Sequence, residues 1–148
     1  GRERAVFRRR ELGFVFQFFH LLPDLSVAEN VELPLVLDGA RHARARSRRV
    51  RALLGQVGLA ERARHRPAEL SGGEMQRTAI ARALVAEPPL VLADEPTGNL
   101  DSASAGEVLA VLGEGLAQAG AALVMVTHDP DATAVADRTL RLIDGQLA

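Results

Sequence analysis

The chain has no lysine, no cysteine, no tryptophan and no tyrosine. Without cysteine there is neither a disulfide framework nor a thiolate metal site, and a reducing compartment fits. No apolar run approaches the ~20 residues that a membrane-spanning helix needs. Without lysine there is no G-x-x-x-x-G-K-[ST] phosphate loop. The glycine spacing of such a loop is missing too: only Gly115 and Gly120 stand five apart, and Ala121-Ala122 follow them. A GC-rich coding sequence would explain arginine in place of lysine on the surface, but not the missing glycines. A dominant charge is also absent. Eighteen basic residues, all arginine, face nineteen acids for a net charge of −1, which argues against a nucleic-acid-binding surface. No secretory signal is visible, and the start Gly1-Arg2-Glu3-Arg4 is charged and lacks Met. It reads as the middle of a longer protein whose phosphate loop would lie upstream of this start.

What is present is 148 residues with an apolar fraction of 47%, one domain's worth of chain with material for a core. Gly13–Phe16 is a short apolar run that predicts a buried strand. Ser26 and Glu29 form a capping box, and the helix they open is expected to run toward Pro34. Arg41 to Val57 is helical in pattern, with Val50, Leu53, Leu54 and Val57 on one face. Arg41, Arg44, Arg48 and Arg51 recur on another, and a solvated face explains them better than a phosphate or lipid-headgroup site. A helix from Ser71 to about Ala86 ends at Glu87-Pro88-Pro89. Leu90–Ala93 suits a strand covered on both faces. A helix from about Ser102 to Ala119, interrupted by Gly113 and Gly115, ends near Gly120. Ala122–Thr127 is expected to be another buried strand, Pro130–Ala136 a short helix, and Leu140–Leu147 a strand with an Asp144-Gly145 turn. Strands alternating with helices predict an α/β fold with a parallel sheet, and the stretch from Gln17 to Leu90 predicts a separate helical lobe.

Ser71-Gly72-Gly73-Glu74 fits S-x-x-E, a capping box that helix stability alone could explain. Two glycines in the first turn are poor helix formers, each costing ~1 kcal/mol against alanine. They make sense where a phosphate must approach the free N–H groups and positive dipole end of the helix. Asp94 and Glu95 close the apolar strand at Leu90. They read either as solvated acids at a strand end or as a Mg²⁺ ligand beside a general base. Side chains of adjacent strand residues point to opposite faces. Both acids reach one site only if the chain bends, and Pro96 and Gly98 are expected to supply the bend. Gly98-Asn99-Leu100-Asp101 reads as a turn with Asp101 capping the next helix. His128 stands at the C-terminal end of a strand, where open α/β sheets bind ligands.

In this order and spacing, Leu70-Ser71-Gly72-Gly73-Glu74-Met75-Gln76-Arg77 and Leu90-Val91-Leu92-Ala93-Asp94-Glu95 resemble the signature and Walker B motifs of an ATP-binding-cassette (ABC) ATPase. Leu12–Gln17 with Leu21-Leu22-Pro23 and Glu29-Asn30-Val31 resembles the Q-loop, Gly98–Asp101 the D-loop, and His128 the switch histidine. The resemblance covers nearly the whole chain and implies a P-loop NTPase-type fold, a parallel sheet with an α-helical lobe, lacking the N-terminal part. Residues 1–24 would carry a strand and the Q-loop, 25–87 a helical signature subdomain, and 88–148 the Walker B, D-loop and H-loop part of the core. It implies ATP and Mg²⁺ as cofactors. Asp94 and Gln17 would contact the metal. Glu95 would act as general base and His128 would touch the γ-phosphate. Gln17, Ser71, Gly72, Gly73, Glu74 and Asp101 would contact nucleotide.

Gln17-Phe18-Phe19-His20-Leu21-Leu22-Pro23, His65-Arg66-Pro67-Ala68-Glu69-Leu70 and Ala93–Asp101 are most similar to the lipoprotein-releasing and macrolide-export-type branch. That branch implies a homodimer of ATPase subunits bound to membrane permease subunits at the cytoplasmic face of the bacterial inner membrane, with no nucleic-acid partner. The helix near Val27–Leu37 is the expected docking face. Repair-type ABC ATPases would place a long coiled coil between Gln17 and Ser71, and translation-type members would carry two cassettes; neither occurs. A non-catalytic interaction module is the remaining rival, because this chain alone lacks the phosphate loop and is expected to be inactive.

Overall fold

The computed structural model describes residues 2–39, 42–134 and 136–147. Three parallel strands form the sheet, in the order β1 (Leu12–Phe16), β2 (Leu90–Asp94) and β3 (Ala122–Val126). The register is level, with Phe16 beside Asp94 and Asp94 beside Val126, so the three C-terminal ends lie side by side. The connections are helical: α1 (Arg2–Glu11) precedes β1, and α2 (Val27–Asp38), α3 (Ala43–Gln56) and α4 (Gly72–Leu84) lie between β1 and β2. Then α5 (Ser102–Ala119) joins β2 to β3, and α6 (Pro130–Ala134) follows β3. The ends of β4 (Leu142–Ile143) and β5 (Gln146–Leu147) pair antiparallel across Asp144-Gly145, both at positive φ as a tight hairpin turn requires. The charged start is thus a helix that the sequence pattern did not announce. Arg41 and Val135 lie outside the described residues.

One apolar cluster runs from the sheet into the helices. Val15, Val91 and Ala93 meet Ile80, Leu84, Val108 and Leu112, and the cluster continues through Val27, Val31, Leu53 and Leu54. Helix α4 is its hinge element, packed against β1, α2 and α5. Val50, Leu53, Leu54 and Val57 are all buried, as their spacing predicts, while Arg44, Arg48 and Arg51 are exposed. The first N–H groups of α2 find acceptors across the chain, Val27 N–H on His65 O at 2.8 Å and Ala28 N–H on Ala63 O at 3.0 Å. Inside α2 the fully buried Asn30 accepts from Leu22 N–H at 2.8 Å, and its amide donates to the carbonyls of Leu22, Leu25 and Ser26. One side chain thereby orders the loop after Gln17.

Four expectations are corrected. Helix α2 does not stop near Pro34 but passes through it to Asp38, ending on left-handed Gly39. The lost N–H bond is outweighed by burial of Leu35 beyond it. Helix α5 is continuous through Gly113 and Gly115, because Val108, Leu112 and Leu116 form a buried stripe. A Cβ on Gly115 would lie 2.6 Å from Leu84 Cδ1, so that glycine lets α4 and α5 approach. Strand β2 is not covered on both faces: Val91 and Ala93 are buried, Leu90 and Leu92 only half-buried. Nor is β3 buried. It is an edge strand among the described residues, with Val124 and Val126 55% and 62% exposed. A run of apolar residues reports hydrophobicity, whereas burial depends on what pairs and stacks on the strand.

Candidate functional site

The level ends of the three strands gather Gln17, Asp94, Glu95 and His128 on one rim of the sheet. The chain bends at Glu95 itself, which has φ 45, earlier than the expected bend at Pro96 and Gly98. Left-handed backbone is costly for a residue with a Cβ, by about 1–2 kcal/mol. Here it is fixed by hydrogen bonds on both sides of the peptide: Glu95 N–H donates to Val126 O at 2.8 Å, and Gly98 N–H donates to Glu95 O at 3.1 Å. The turn swings the Glu95 carboxylate toward β3. There His128 Nδ1–H donates to Glu95 Oε1 at 2.7 Å. This hydrogen bond and the negative charge of Glu95 raise the His128 pKa above its ordinary value. The second carboxylate oxygen, Glu95 Oε2, is buried and has no hydrogen-bond partner. Beside it, Thr97 Oγ1 donates to Asp129 Oδ2 at 3.0 Å, tying the loop after β2 to the loop after β3.

Gln17 sits at the end of β1 and faces Asn99. Its Nε2 donates to Asn99 Oδ1 at 3.3 Å, and Asn99 Nδ2 donates to Gln17 O at 3.1 Å. A Cβ at Gly98 would lie 2.8 Å from Gln17 Nε2, so a side chain there would displace the glutamine. With Nε2 so engaged, the amide oxygen is the Gln17 side-chain atom that could meet a cation. Asp94, exposed at the end of β2, supplies a carboxylate. Both are hard oxygen donors of the kind Mg²⁺ takes. Among the described residues no three His, Cys, Asp or Glu side chains converge as a metal cage. Two donors, with the remaining positions left to water and phosphate oxygens, fit Mg²⁺ rather than a dedicated protein cage. The rim carries Asp94, Glu95 and Asp129, so it needs cations to hold a phosphate.

The other predicted group stands at the start of α4. Ser71 is its N-cap: Ser71 Oγ accepts from Glu74 N–H at 3.2 Å, and Glu74 Oε2 accepts from Ser71 N–H at 2.9 Å. The Ser71 N–H bond, with Arg62 at 3.0 Å, holds the Glu74 carboxyl below its usual range. Ser71 itself is exposed, while Gly73 is buried against Ser104, where a Cβ would lie 3.4 Å from Ser104 Cβ. Asp101 caps α5, accepting from Ser104 N–H at 3.0 Å, and that bond lowers its pKa. No hydrogen bond or ion pair among the described residues joins the side chains of Ser71–Glu74 to those of Gln17, Asp94, Glu95 or His128. The chain thus presents two half-sites.

Three residues to which the sequence reading gave no role of their own hold this rim together. Gln76 and Arg82 on α4 and Asn99 after β2 act mainly on backbone atoms far along the chain, and Arg82 donates to the carbonyls of Phe19 and His20 at 2.8 and 2.6 Å. Gln76 lies inside the stretch that resembles the signature motif, and a polar residue inside an apolar helix stripe is the further signal that could have marked its own role.

Residues 2–98 match the family model described as ABC transporter. The chain belongs to the ABC transporter family. It is 51% identical over 142 residues to the lipoprotein-releasing system ATP-binding protein LolD of Chromohalobacter salexigens, covering 96% of this chain and 60% of that protein. It is 49% identical over 145 residues to the uncharacterized ABC transporter ATP-binding protein MJ1508 of Methanocaldococcus jannaschii, covering 98% and 64%. Among solved structures it resembles the dimeric post-hydrolysis state of the ATP-binding cassette MJ0796 bound to ADP and Pi, with TM-score 0.86 and 41% identity over 99% of this chain and 64% of that one. This ABC chain therefore spans 60–64% of the length of these relatives.

Proposed function

We propose that the full-length protein is the ATP-hydrolysing subunit of a membrane ABC transporter. The observation that carries this is the Glu95–His128 pair at a strand-end rim, with one buried carboxylate oxygen unpartnered. The Glu95 carboxylate is the base that takes the proton of an attacking water, and His128 orients it through Oε1. Asp94 and the Gln17 amide oxygen would hold Mg²⁺, which would offset the charge of the β- and γ-phosphates. Ser71, Gly72 and Gly73 offer free N–H groups and a dipole end to phosphate, Glu74 keeps that helix end capped, and Asp101 borders it. A two-fold pair of subunits is the arrangement that would bring both groups onto one nucleotide, each signature helix closing on ATP held by its partner. The dimeric state of MJ0796 supports this reading. The 148-residue chain alone, without lysine or phosphate loop, does not hydrolyse ATP.

Within that function, release of lipoproteins from the bacterial inner membrane is the branch we favour, on the likeness to LolD. Macrolide- or peptide-export-type transport is the second reading, on the branch resemblance of residues 17–23, 65–70 and 93–101; relatives described only as uncharacterized ABC transporter ATP-binding proteins match equally well and do not single out lipoprotein release. The permease subunits would dock on α2, where Val36 and Leu37 are exposed beside a groove of about 520 Å³ lined by Phe14, Leu33 and Pro34. No helix of the described residues is long and apolar enough to cross a membrane. On the likeness to LolD, the subunit would sit peripherally at the cytoplasmic face of the bacterial inner membrane. Reconstitution of the full-length protein with its membrane subunits in proteoliposomes tests the branch. ATP-dependent release of a lipid-modified protein is expected; ATP hydrolysis without such release would support the export reading.

A further inference from the structure

Gln76 is the one fully buried glutamine, one and a half turns after the Ser71 cap of α4. Its Nε2 donates to Pro96 O at 2.6 Å and to Phe16 O at 3.3 Å. Pro96 follows Glu95, and Phe16 precedes Gln17. A single amide thus binds the backbone at the two points where β1 and β2 hand over to the rim. The other face of the Glu95 turn is held by Val126 O. Together these contacts hold a non-glycine residue at φ 45 from both the helix side and the strand side. The Gln76 Oε1 atom is buried with no partner. A side chain chosen only to fill space would avoid that desolvated oxygen, and leucine or methionine would serve.

Resting on the ATPase reading above, we propose that Gln76 is a positioning residue for hydrolysis. It fixes the left-handed turn that aims the Glu95 carboxylate, and it ties that turn and the Gln17 loop to the helix that begins at Ser71. Movement of the signature helix relative to the sheet is thereby passed to the base and to the Gln17 amide together. Gln76 touches no nucleotide and acts through Glu95. A small misplacement of a reacting group can cost up to about 10²-fold in rate while leaving binding intact.

The test uses Gln76→Met in the full-length protein, which keeps the volume and removes the donor. The expected result is a fall in kcat of about 10- to 100-fold with KM for ATP within about threefold. In a Glu95→Gln background the same substitution should cost the residual rate clearly less than in the parent, because the base is already gone and only the hold on the Gln17 loop remains to be lost. Gln76→Asn retains an amide that stops one methylene short of Pro96 O, and should lose kcat in the same pattern. An unchanged kcat in either folded variant, a parallel change in kcat and KM, or an equal loss with and without Glu95 overturns the inference while the ATPase reading stands. Failure of both variants to fold assigns Gln76 to the core alone and also overturns it. Absence of Mg²⁺-dependent hydrolysis by the unsubstituted protein overturns the ATPase reading and this inference with it.

Discussion

Gly13→Ala measures how closely the sheet that carries the rim is packed on the signature helix. A Cβ at Gly13 would lie 2.7 Å from the Ala83 carbonyl oxygen, 3.1 Å from Val91 Cγ2 and 3.2 Å from Pro88 Cγ. The nearest obstacle is backbone, not the end of a flexible side chain. Strand β1 and helix α4 must part by several tenths of an ångström along a contact that includes Val15 and Ile80, both fully buried. Overpacking of this kind costs about 1–3 kcal/mol. Alanine also restricts the unfolded chain, which offsets about 0.4–1 kcal/mol. The net is a destabilisation of about 1–2 kcal/mol, or a fall in Tm of about 3–6 °C for a chain of this size class. Gly113→Ala is the matched control. It lies inside α5 with nothing within 4 Å of a built Cβ, so alanine should stabilise by about 0.5–1 kcal/mol. Thermal unfolding of the full-length protein, followed by circular dichroism with and without each substitution, reads both signs. A Tm for Gly13→Ala at or above the parent value would refute the close approach of β1 and α4.

Two further outcomes are expected. His128 should titrate above its ordinary value of about 6.5, because of its hydrogen bond to Glu95 and the charge of that carboxylate. Its contribution to stability is then fully present below the unfolded value and is lost as pH rises through the folded one. Histidine ring-proton NMR across pH 5–9 on the order of half-unit steps reads the midpoint. Glu95→Gln should return it toward the ordinary value, and a midpoint at or below that value with Glu95 intact counts against the pair. Ser71→Arg puts bulk and charge at an exposed N-cap, so each subunit should still bind ATP while the ATP-dependent dimer fails to form. Dimerisation as tight as the parent's by analytical ultracentrifugation refutes the role given to that helix end.

Much of this fold is legible in the sequence wherever its cause is local. Both capping boxes, Ser26 with Glu29 and Ser71 with Glu74, involve residues three apart, and the structure shows each one. The Asp144-Gly145 turn and the Gly120 cap are likewise fixed by the conformations their residues tolerate. What stayed illegible depends on distant partners. Gln76 and Arg82 reach carbonyls 60 or more residues away, so no window along the chain contains their reasons. Pro34, Gly113 and Gly115 are breakers by propensity, and tertiary packing overrides them. The two acids of the rim were readable as a pair, but the left-handed turn at Glu95 that sets the direction of its carboxylate was not, because it is held by Val126 from the neighbouring strand.

Glu95→Gln in the full-length protein tests the central claim most directly. The substitution keeps the size of the side chain and can still meet His128, but it removes the base. Steady-state Mg²⁺-ATPase activity should fall by about 10²–10⁴-fold, the usual worth of general-base catalysis. ATP binding should persist, and a two-subunit complex with ATP trapped inside should accumulate on size-exclusion chromatography. Hydrolysis at the parent rate would contradict the account, because the Glu95–His128 rim would then not be where ATP is cleaved.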